Sequence, residues 1–230
     1  MTLFGADENG MTGEALVNSE AWVSSYITNN AVGGQLKRVF DIVFAFLTLL
    51  LLLPLIIIVA LMLKITDPGP VIYKNVRVGL WGRRFTCLKF RTMVVDSENV
   101  LKALLEDDPS ARAEWERHQM LIRDPCVTRV GQILRESRLD ELPQLINVLR
   151  GEMSLIGPRP IVPSEMSHYG DRLGSYVSAR PGLTGAWQIS GYNDCGYDKR
   201  VELDANYVSD WCFSTDLSIL MRTIINRKKS

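Results

Sequence analysis

The protein has 230 residues, 47% of them hydrophobic, and its formal net charge is zero because 26 Lys and Arg balance 26 Asp and Glu. Such a chain can hold one domain with a core plus a membrane element, but hardly two large domains. Its four cysteines are scattered, without a C-x-x-C pair or a histidine at ligand spacing, which argues against a zinc site or a disulfide framework and fits a reducing compartment.

Charge is strongly segregated along the chain. Residues 1–36 carry four acids and no Lys or Arg, and we predict a flexible acidic tail over residues 1–35. Residues 37–91 carry nine bases against only Asp41 and Asp67, and residues 96–116 reverse the sign with seven acids. We interpret the acidic stretch as solvated helix surface. The positive charge of the basic block is the electrostatic feature that a function has to explain.

One apolar segment runs without a charge for 22 residues, from Ile42 to Leu63. As a straight helix it would be about 33 Å long, enough to cross the hydrocarbon core of a bilayer. A signal peptide would be shorter, would begin earlier and would be followed by a cleavage site. Residues 36–65 are therefore predicted to form a membrane element.

Pro54 lies near the middle of this segment, where it removes a backbone hydrogen bond and tends to kink or break a helix. Each half would cover about 15 to 18 Å, so a re-entrant helix-break-helix that returns to the side it entered is physically open. Lys37 and Arg38 before the segment and Lys64 after it suit two cytoplasmic flanks, although the acidic tail leaves a kinked spanning helix equally open. In either arrangement the basic block would lie against anionic lipid and attract a phosphate-bearing ligand.

The rest of the chain predicts a small sheet among helices. A turn leading into a strand is predicted over residues 66–73, and a second strand over residues 85–93. Helices are predicted over residues 97–121, divided by Pro109, and over residues 131–138, 143–150, 198–211 and 214–226, with loops at 157–163 and 179–185. The fold class is therefore α+β, mostly helical with a small β-sheet, and residues 66–226 are expected to form one compact domain.

The motif with the most chemical content is RLDELPQ at residues 138–144, which sets Asp140 and Glu141 side by side ahead of Pro143. Proline is favoured at the first helical position and pushes the preceding residue out of helical geometry, so both acids should lie in a bend before a helix. A bend lets the two carboxylates converge on one site, and the positive helix end would keep Asp140 ionised as a usable nucleophile. The alternative is that both acids only cap the helix.

Basic residues near turns accompany the acidic pair. Singly, each is more often a surface residue. Together, guanidinium forks and paired carboxylates suit a pyrophosphate held with a divalent cation. The bases are Lys89, Arg91, Arg135, Arg180 and Arg159, the last in a Gly-Pro-Arg-Pro loop.

Several segments, in a fixed order, resemble one known family: KRVFDIV, the proline-broken apolar run, DPGPVIY, KFRTM, LDELPQLINVLRGEMSLIGPRP and ARPGLTGAWQISG. Over residues 36–224 the chain is similar to the bacterial sugar transferases, the monotopic phosphoglycosyl transferases that start surface glycan assembly. Its short form, without a bundle of spanning helices in front, resembles the exopolysaccharide-initiating hexose transferases.

The resemblance implies transfer of a sugar 1-phosphate, a hexose being expected, from a UDP-sugar to a polyprenol phosphate such as undecaprenyl phosphate, with release of UMP. In that family the Asp of the Asp-Glu pair attacks the β-phosphorus, so this role falls on Asp140, and a covalent phosphosugar enzyme forms. Mg²⁺ is the implied cofactor, held by Asp140 and Glu141, although Glu141 could instead orient the acceptor. Arg135 and Arg159 fall on family arginines placed to grip phosphate.

The resemblance also implies a location. It favours the re-entrant helix with its break at Pro54, in a monotopic protein of the bacterial inner membrane. The catalytic domain would lie on the cytoplasmic face, against the lipid bilayer. No nucleic-acid partner is expected, and a homo-oligomer is left open.

Two positions depart from the family pattern. Cys126 follows Asp-Pro where an Arg is frequent, and Tyr192 follows Ser-Gly where an Arg is also frequent. Loss of the arginine at Tyr192 would remove a phosphate or sugar contact, whereas Cys126 is expected to pack. Trp187 and Gln188 could line a nucleotide pocket, although core packing is as good an account of the tryptophan.

Two other classes of function stay open. A membrane-anchored interaction protein would have a decayed site, but the acidic pair and its arginines are intact. An inverting glycosyltransferase that makes a polyprenol monophosphate sugar would be expected to carry a D-x-D motif on a nucleotide-binding α/β fold. Asp107 and Asp108 fit helix surface better.

Overall fold

The computed structural model describes residues 31–108, 110–112, 115, 121, 124–190 and 196–226. The predicted acidic tail up to residue 30, and Tyr192, lie outside these residues. Packing of the chain defines two compact units. Of the described residues, unit one contains those within 31–43, 76–86, 148–190 and 196–226, and unit two contains those within 44–75 and 87–147.

The longest element is helix α1, Gly34–Thr66, which continues through Pro54. We predicted that the helix breaks at this proline, whereas the structure keeps it helical. A proline removes only its own N–H from the ladder, and the turns on either side keep theirs. Leu51 and Ile65 leave 78% and 79% of their surfaces exposed. Among the described residues, α1 is the one helix long and apolar enough to cross a membrane.

After α1 the chain forms a two-stranded sheet from β1, Ile72–Val78, and β2, Arg84–Phe90. Three helices follow: α2, Ser97–Asp107; α3, Arg129–Ser137; and α4, Gln144–Arg150. Helix α2 ends where Asp108 turns extended, at φ −119° and ψ 102°, as expected for the residue before Pro109. The fold class, mostly helical with small sheets, is confirmed.

The core of unit two joins the end of α1 to the elements that follow it. Val59 and Leu63 of α1 are buried together with Phe90 of β2 and Leu134 of α3. Asn147 of α4 is fully buried, and its side-chain oxygen accepts a hydrogen bond from the Leu88 backbone N–H at 3.0 Å. Helix α4 is thereby fixed against β2.

Unit one contains a second, parallel pair of strands, β3, Ser154–Ile156, and β4, Gly182–Thr184. We predicted loops nearby, because three-residue strands are too short to show alternation. The two strands approach closely, since a Cβ on Gly182 would lie 2.1 Å from the Gly157 backbone nitrogen. The helices of this unit are α5, Met166–Tyr169; α6, Leu173–Val177; α7, Ala186–Ile189; α8, Tyr197–Ser209; and α9, Phe213–Asn226.

The start of α1 is held inside unit one by polar contacts. Lys37 is 5% exposed and forms an ion pair with Asp216 of α9, which is 1% exposed. Tyr207 donates its hydroxyl hydrogen to the other oxygen of Asp216 at 2.7 Å. Arg38 donates to the carbonyls of Val148 and Leu149 at 2.6 and 3.0 Å. These two bases, predicted to flank the membrane, therefore serve contacts within the protein.

Candidate active site

The acidic pair lies in a single turn between α3 and α4. Helix α3 ends at Ser137 and is followed by Arg138, a non-glycine residue in the left-handed region, at φ 56° and ψ 20°. A 3-10 turn, Leu139–Glu141, follows directly, and α4 begins three residues later. The predicted bend before a proline-marked helix is therefore present.

Leucines on either side hold this turn in place. Leu139 and Leu142 both pack against the core of unit two. The sequence Leu-Asp-Glu-Leu thus fixes its two outer residues in apolar surroundings and leaves the two acids between them. Asp140 is 9% exposed.

Lys89 of β2 is the base beside the acidic pair. Its Nζ donates to Glu141 Oε1 at 2.8 Å and lies 3.9 Å from Asp140 Oδ2. The Lys89 side chain is 34% exposed and that of Asp140 13%. One ammonium group therefore lies within 4 Å of two adjacent carboxylates in unit two.

The pKa of Asp140 is raised above its ordinary value. Burial is the largest cause, because it disfavours the charged form, and the neighbouring Glu141 carboxylate acts in the same direction. Lys89 and Arg135 oppose both by stabilising the charge. We expected the helix end to hold Asp140 ionised, but desolvation outweighs that effect, and the nearby bases are what favour the anion.

Two predicted phosphate-binding arginines have neighbours within unit two. Arg135 is exposed, and its Nε donates to Thr92 Oγ1 at 2.9 Å. Arg91 is buried, donates to the Asp67 backbone carbonyl, and has Nη2 3.3 Å from Asp67 Oδ2. These partners, Thr92 and Asp67, lie 43 and 24 residues away in the chain, and no sequence pattern predicts the contacts. The phosphate-binding roles stay predictions.

The other two predicted arginines belong to unit one. Arg159 is exposed, with its guanidinium carbon 5.5 Å from the centroid of the Trp187 ring. Arg180 donates from Nε to the Gly151 carbonyl at 2.9 Å, and burial together with Arg38 lowers its pKa. Their roles toward phosphate also stay predictions.

Cys126 packs as expected. It is 2% exposed, and its thiol donates to the Ser97 carbonyl at 3.3 Å. Burial raises the pKa of this thiol to about 11, so it stays protonated at neutral pH.

Asp108 serves the backbone and is poorly placed for a metal. Its Oδ1 accepts hydrogen bonds from the Ser110 N–H at 2.8 Å, the Ser110 hydroxyl at 2.6 Å and the Ala111 N–H at 3.2 Å. These hydrogen bonds lower its pKa. A carboxylate that accepts such hydrogen bonds caps the start of a helix. This role weighs against the metal-binding motif that an inverting glycosyltransferase would need.

The protein thus combines a long apolar helix with a turn in which the buried Asp140 lies beside Glu141 and Lys89. The family model described as bacterial sugar transferase matches residues 32–229. The chain belongs to this family.

Individual relatives have the following names and extents. The chain is 52% identical over 189 residues to the undecaprenyl-phosphate galactose phosphotransferase of Salmonella typhimurium, a match covering 82% of this chain and 39% of that protein. It is 46% identical over 193 residues to the exopolysaccharide production protein ExoY of Sinorhizobium fredii, covering 84% and 85%. It is 41% identical over 198 residues to the UDP-glucose:undecaprenyl-phosphate glucose-1-phosphate transferase of Caulobacter vibrioides, covering 82% and 68%. The chain thus spans about two fifths of the length of the Salmonella relative.

Proposed function

We propose that this chain transfers a hexose 1-phosphate from a UDP-sugar to undecaprenyl phosphate and releases UMP, as the first membrane step of exopolysaccharide or other surface glycan synthesis. Two kinds of evidence support this. The Salmonella and Caulobacter relatives are named for phosphotransfer of galactose and of glucose 1-phosphate involving undecaprenyl phosphate. The observation that carries the proposal is the buried Asp140, with Lys89 and Glu141 beside it.

The transfer proceeds in two displacements. An Asp140 carboxylate oxygen attacks the β-phosphorus of the donor, the bond from that phosphorus to the bridging oxygen breaks, and UMP leaves with the bond's electrons. An oxygen of undecaprenyl phosphate then attacks the same phosphorus. The aspartyl oxygen–phosphorus bond breaks, which releases undecaprenyl diphosphate sugar and restores the carboxylate.

Lys89 favours the ionised form of the nucleophile. Asp140 can attack only as an anion, and burial, which raises its pKa, works against that form. The ammonium group of Lys89 at 3.9 Å opposes this. Arg135, on the preceding helix α3, also lowers the pKa of Asp140, and in this proposal it binds the donor phosphates.

Magnesium fits this turn as an ion shared with substrate. Among the described residues there is no group of three or more acidic, His or Cys side chains that could form a complete protein cage. Mg²⁺ commonly binds through one or two carboxylates plus substrate phosphates, which is what Asp140 and Glu141 offer. Bound there, it would neutralise charge on the diphosphate and on departing UMP.

We also propose that α1 bends at Pro54 inside the bilayer, while its two halves stay helical, so that both of its ends lie on the cytoplasmic face. Lys37, at the start of α1, pairs with Asp216, which follows α1 in the chain, and this pairing supports a return of the chain to the side it entered. A helix spanning once would separate them. The bilayer core would receive the exposed apolar middle of α1 around Pro54.

A cysteine in place of Leu36, which is 69% exposed, tests this topology in a variant without other accessible cysteines. It should be protected from an impermeant thiol reagent outside intact cells and should react after the membrane is opened. Labelling in intact cells would show a spanning helix.

One assay tests the reaction. Membranes containing the protein are incubated with radiolabelled UDP-galactose or UDP-glucose, Mg²⁺ and undecaprenyl phosphate, and the nucleotide products are separated. UMP supports the proposal, UDP would mean an inverting glycosyltransferase, and neither product would mean a binding protein. Acid quenching without acceptor should trap a phosphosugar on Asp140 that base or hydroxylamine releases, and its absence during brisk UMP formation would refute the covalent step.

A further inference from the structure

Thr92 lies just after strand β2 and contacts an arginine of the candidate active site. Its side-chain oxygen accepts a hydrogen bond from Arg135 Nε at 2.9 Å. Thr92 is 9% exposed, whereas Arg135 is an exposed residue. A long arginine side chain at a surface has many rotamers, and ordering it costs conformational entropy. A hydrogen bond from a buried neighbour therefore restricts where this guanidinium group can lie.

The backbone of Thr92 is itself fixed against helix α3. Its carbonyl oxygen accepts a hydrogen bond from the Thr128 N–H at 3.0 Å. The Thr128 side-chain oxygen in turn accepts from the Gly131 N–H at 2.9 Å, which caps the start of α3. Gly131 approaches so closely that a Cβ there would lie 2.0 Å from the Thr92 carbonyl oxygen. Thr92 thus contacts the first turn of α3 through its backbone and the last turn, which carries Arg135, through its side chain.

The hydrogen bond to Thr92 uses only one of the five N–H groups of Arg135. Because Nε is the donor, the other four N–H groups, on Nη1 and Nη2, are not used by this contact, and together they can bind phosphate oxygens as a fork. The charge of Arg135 also reaches the candidate nucleophile, since it lowers the pKa of Asp140. Thr92 therefore holds the stem side of a guanidinium group that lies near Asp140.

We propose that Thr92 is a positioning residue, which holds the Arg135 guanidinium in the orientation in which Nη1 and Nη2 bind the diphosphate of the nucleotide donor. Thr92, Arg135 and Asp140 all belong to unit two. Without the Thr92 hydroxyl, Arg135 would keep its charge but sample other rotamers, and ordering it again on binding would weaken the donor complex. That the donor is a UDP-sugar and that Arg135 binds its phosphates rests on the proposed function.

The test compares Thr92→Val with Thr92→Ser by calorimetry on the full chain in nanodiscs, with UDP as titrant and Mg²⁺ present. Valine keeps the branched shape of threonine and lacks the oxygen, whereas serine keeps the oxygen. UDP carries the diphosphate that all UDP-sugars share, and it has no sugar phosphate to transfer. The matched control is Thr223→Val in unit one, which removes a hydroxyl 2.8 Å from Thr184 Oγ1.

We expect Thr92→Val to weaken UDP binding by about three- to tenfold, the weight of one hydrogen bond, while Thr92→Ser and Thr223→Val bind UDP like the parent. Arg135→Met should also weaken UDP binding. In the Arg135→Met background, Thr92→Val should cause no further loss, because the hydroxyl acts only through that guanidinium. A threonine that only packs would instead lower the melting temperature by the same amount in both backgrounds and leave UDP affinity unchanged.

Three results would overturn the positioning role: UDP affinity that does not depend on Arg135, UDP affinity that is unchanged in Thr92→Val or not restored in Thr92→Ser, or an equal loss from Thr92→Val with and without Arg135. If Arg135 bound the acceptor phosphate instead, Thr92→Val would raise the KM for undecaprenyl phosphate and leave UDP binding intact. The proposed function has a separate readout, UMP release. UMP release with UDP affinity independent of Thr92 refutes the positioning role alone, and UDP affinity that depends on Thr92 and Arg135 without UMP release refutes the reaction alone.

Discussion

Replacing Lys89 with Met removes the positive charge beside the candidate nucleophile. Two unit charges about 4 Å apart interact by about 1 kcal/mol in water and about 4 kcal/mol at an effective dielectric constant of about 20. Lys89 Nζ lies 3.9 Å from Asp140 Oδ2, and the lysine side chain is 34% exposed. Solvent screening therefore places the effect between these limits, at about 1 to 3 kcal/mol, or about one to two pKa units.

The assay is the pH dependence of kcat/KM for UMP release, which reports the ionisation of groups in the free enzyme. Activity requires the Asp140 anion, so loss of the ammonium should raise the pKa of Asp140 and move the acid limb up by about one to two pH units. Lys89→Arg keeps the charge and should leave the midpoint near that of the parent.

The same measurement separates two roles for Lys89. If Lys89 gripped the donor phosphates instead, Lys89→Met would raise KM and leave the midpoint of the acid limb in place. An unmoved midpoint would refute the electrostatic role derived from the 3.9 Å separation.

Three further outcomes are expected. Asp140→Asn should abolish UMP release without lowering the melting temperature, because burial raises the pKa of Asp140 and its charge costs folding energy at neutral pH; a clear loss of stability would contradict this. Burial raises the pKa of Asp204 from 3.8 to about 6, so the folded state binds this proton more tightly and loses up to about 3 kcal/mol of stability as pH rises through that interval. The melting temperature of Asp204→Asn should therefore equal that of the parent at the acid end and exceed it by several degrees at neutral pH. A difference in melting temperature that stays constant with pH would argue against this reasoning. Gly131→Ala places a Cβ 2.0 Å from the Thr92 carbonyl oxygen and should lower the free energy of unfolding, measured by thermal melts, by about 1 to 3 kcal/mol. Gly196→Ala, with no atom within 4 Å of its Cβ, should leave stability nearly unchanged. Equal melting temperatures of the two variants would show that α3 can shift freely.

Local patterns predicted the elements with the strongest periodicity or punctuation. The helix predicted over residues 143–150 is Gln144–Arg150, and that over residues 198–211 is Tyr197–Ser209. The turn at Asp140 and Glu141 followed from Pro143, because a proline acts on its immediate neighbours. The three-residue strands β3 and β4 gave no such signal, since their pairing is parallel and distant in sequence.

Partners of the predicted bases could not be read from the sequence, because they depend on tertiary packing. Arg91 was predicted to bind phosphate, but the structure buries it against Asp67 at the end of α1. Lys37 was interpreted as a membrane flank and pairs with Asp216 of α9. Lys89 was grouped with the phosphate-binding bases, and only the packing of β2 against the turn reveals its contact with Glu141.

The pairing of Lys37 with Asp216 sets an order for biosynthesis. The two residues are 179 positions apart, and ribosomes add about 5 to 20 residues per second, so Lys37 waits roughly 10 to 35 seconds for its counter-ion. The apolar helix that follows Lys37 is synthesised early in that interval. If α1 enters lipid as proposed, its insertion can begin before α9 is synthesised, and closure of unit one must wait for α9.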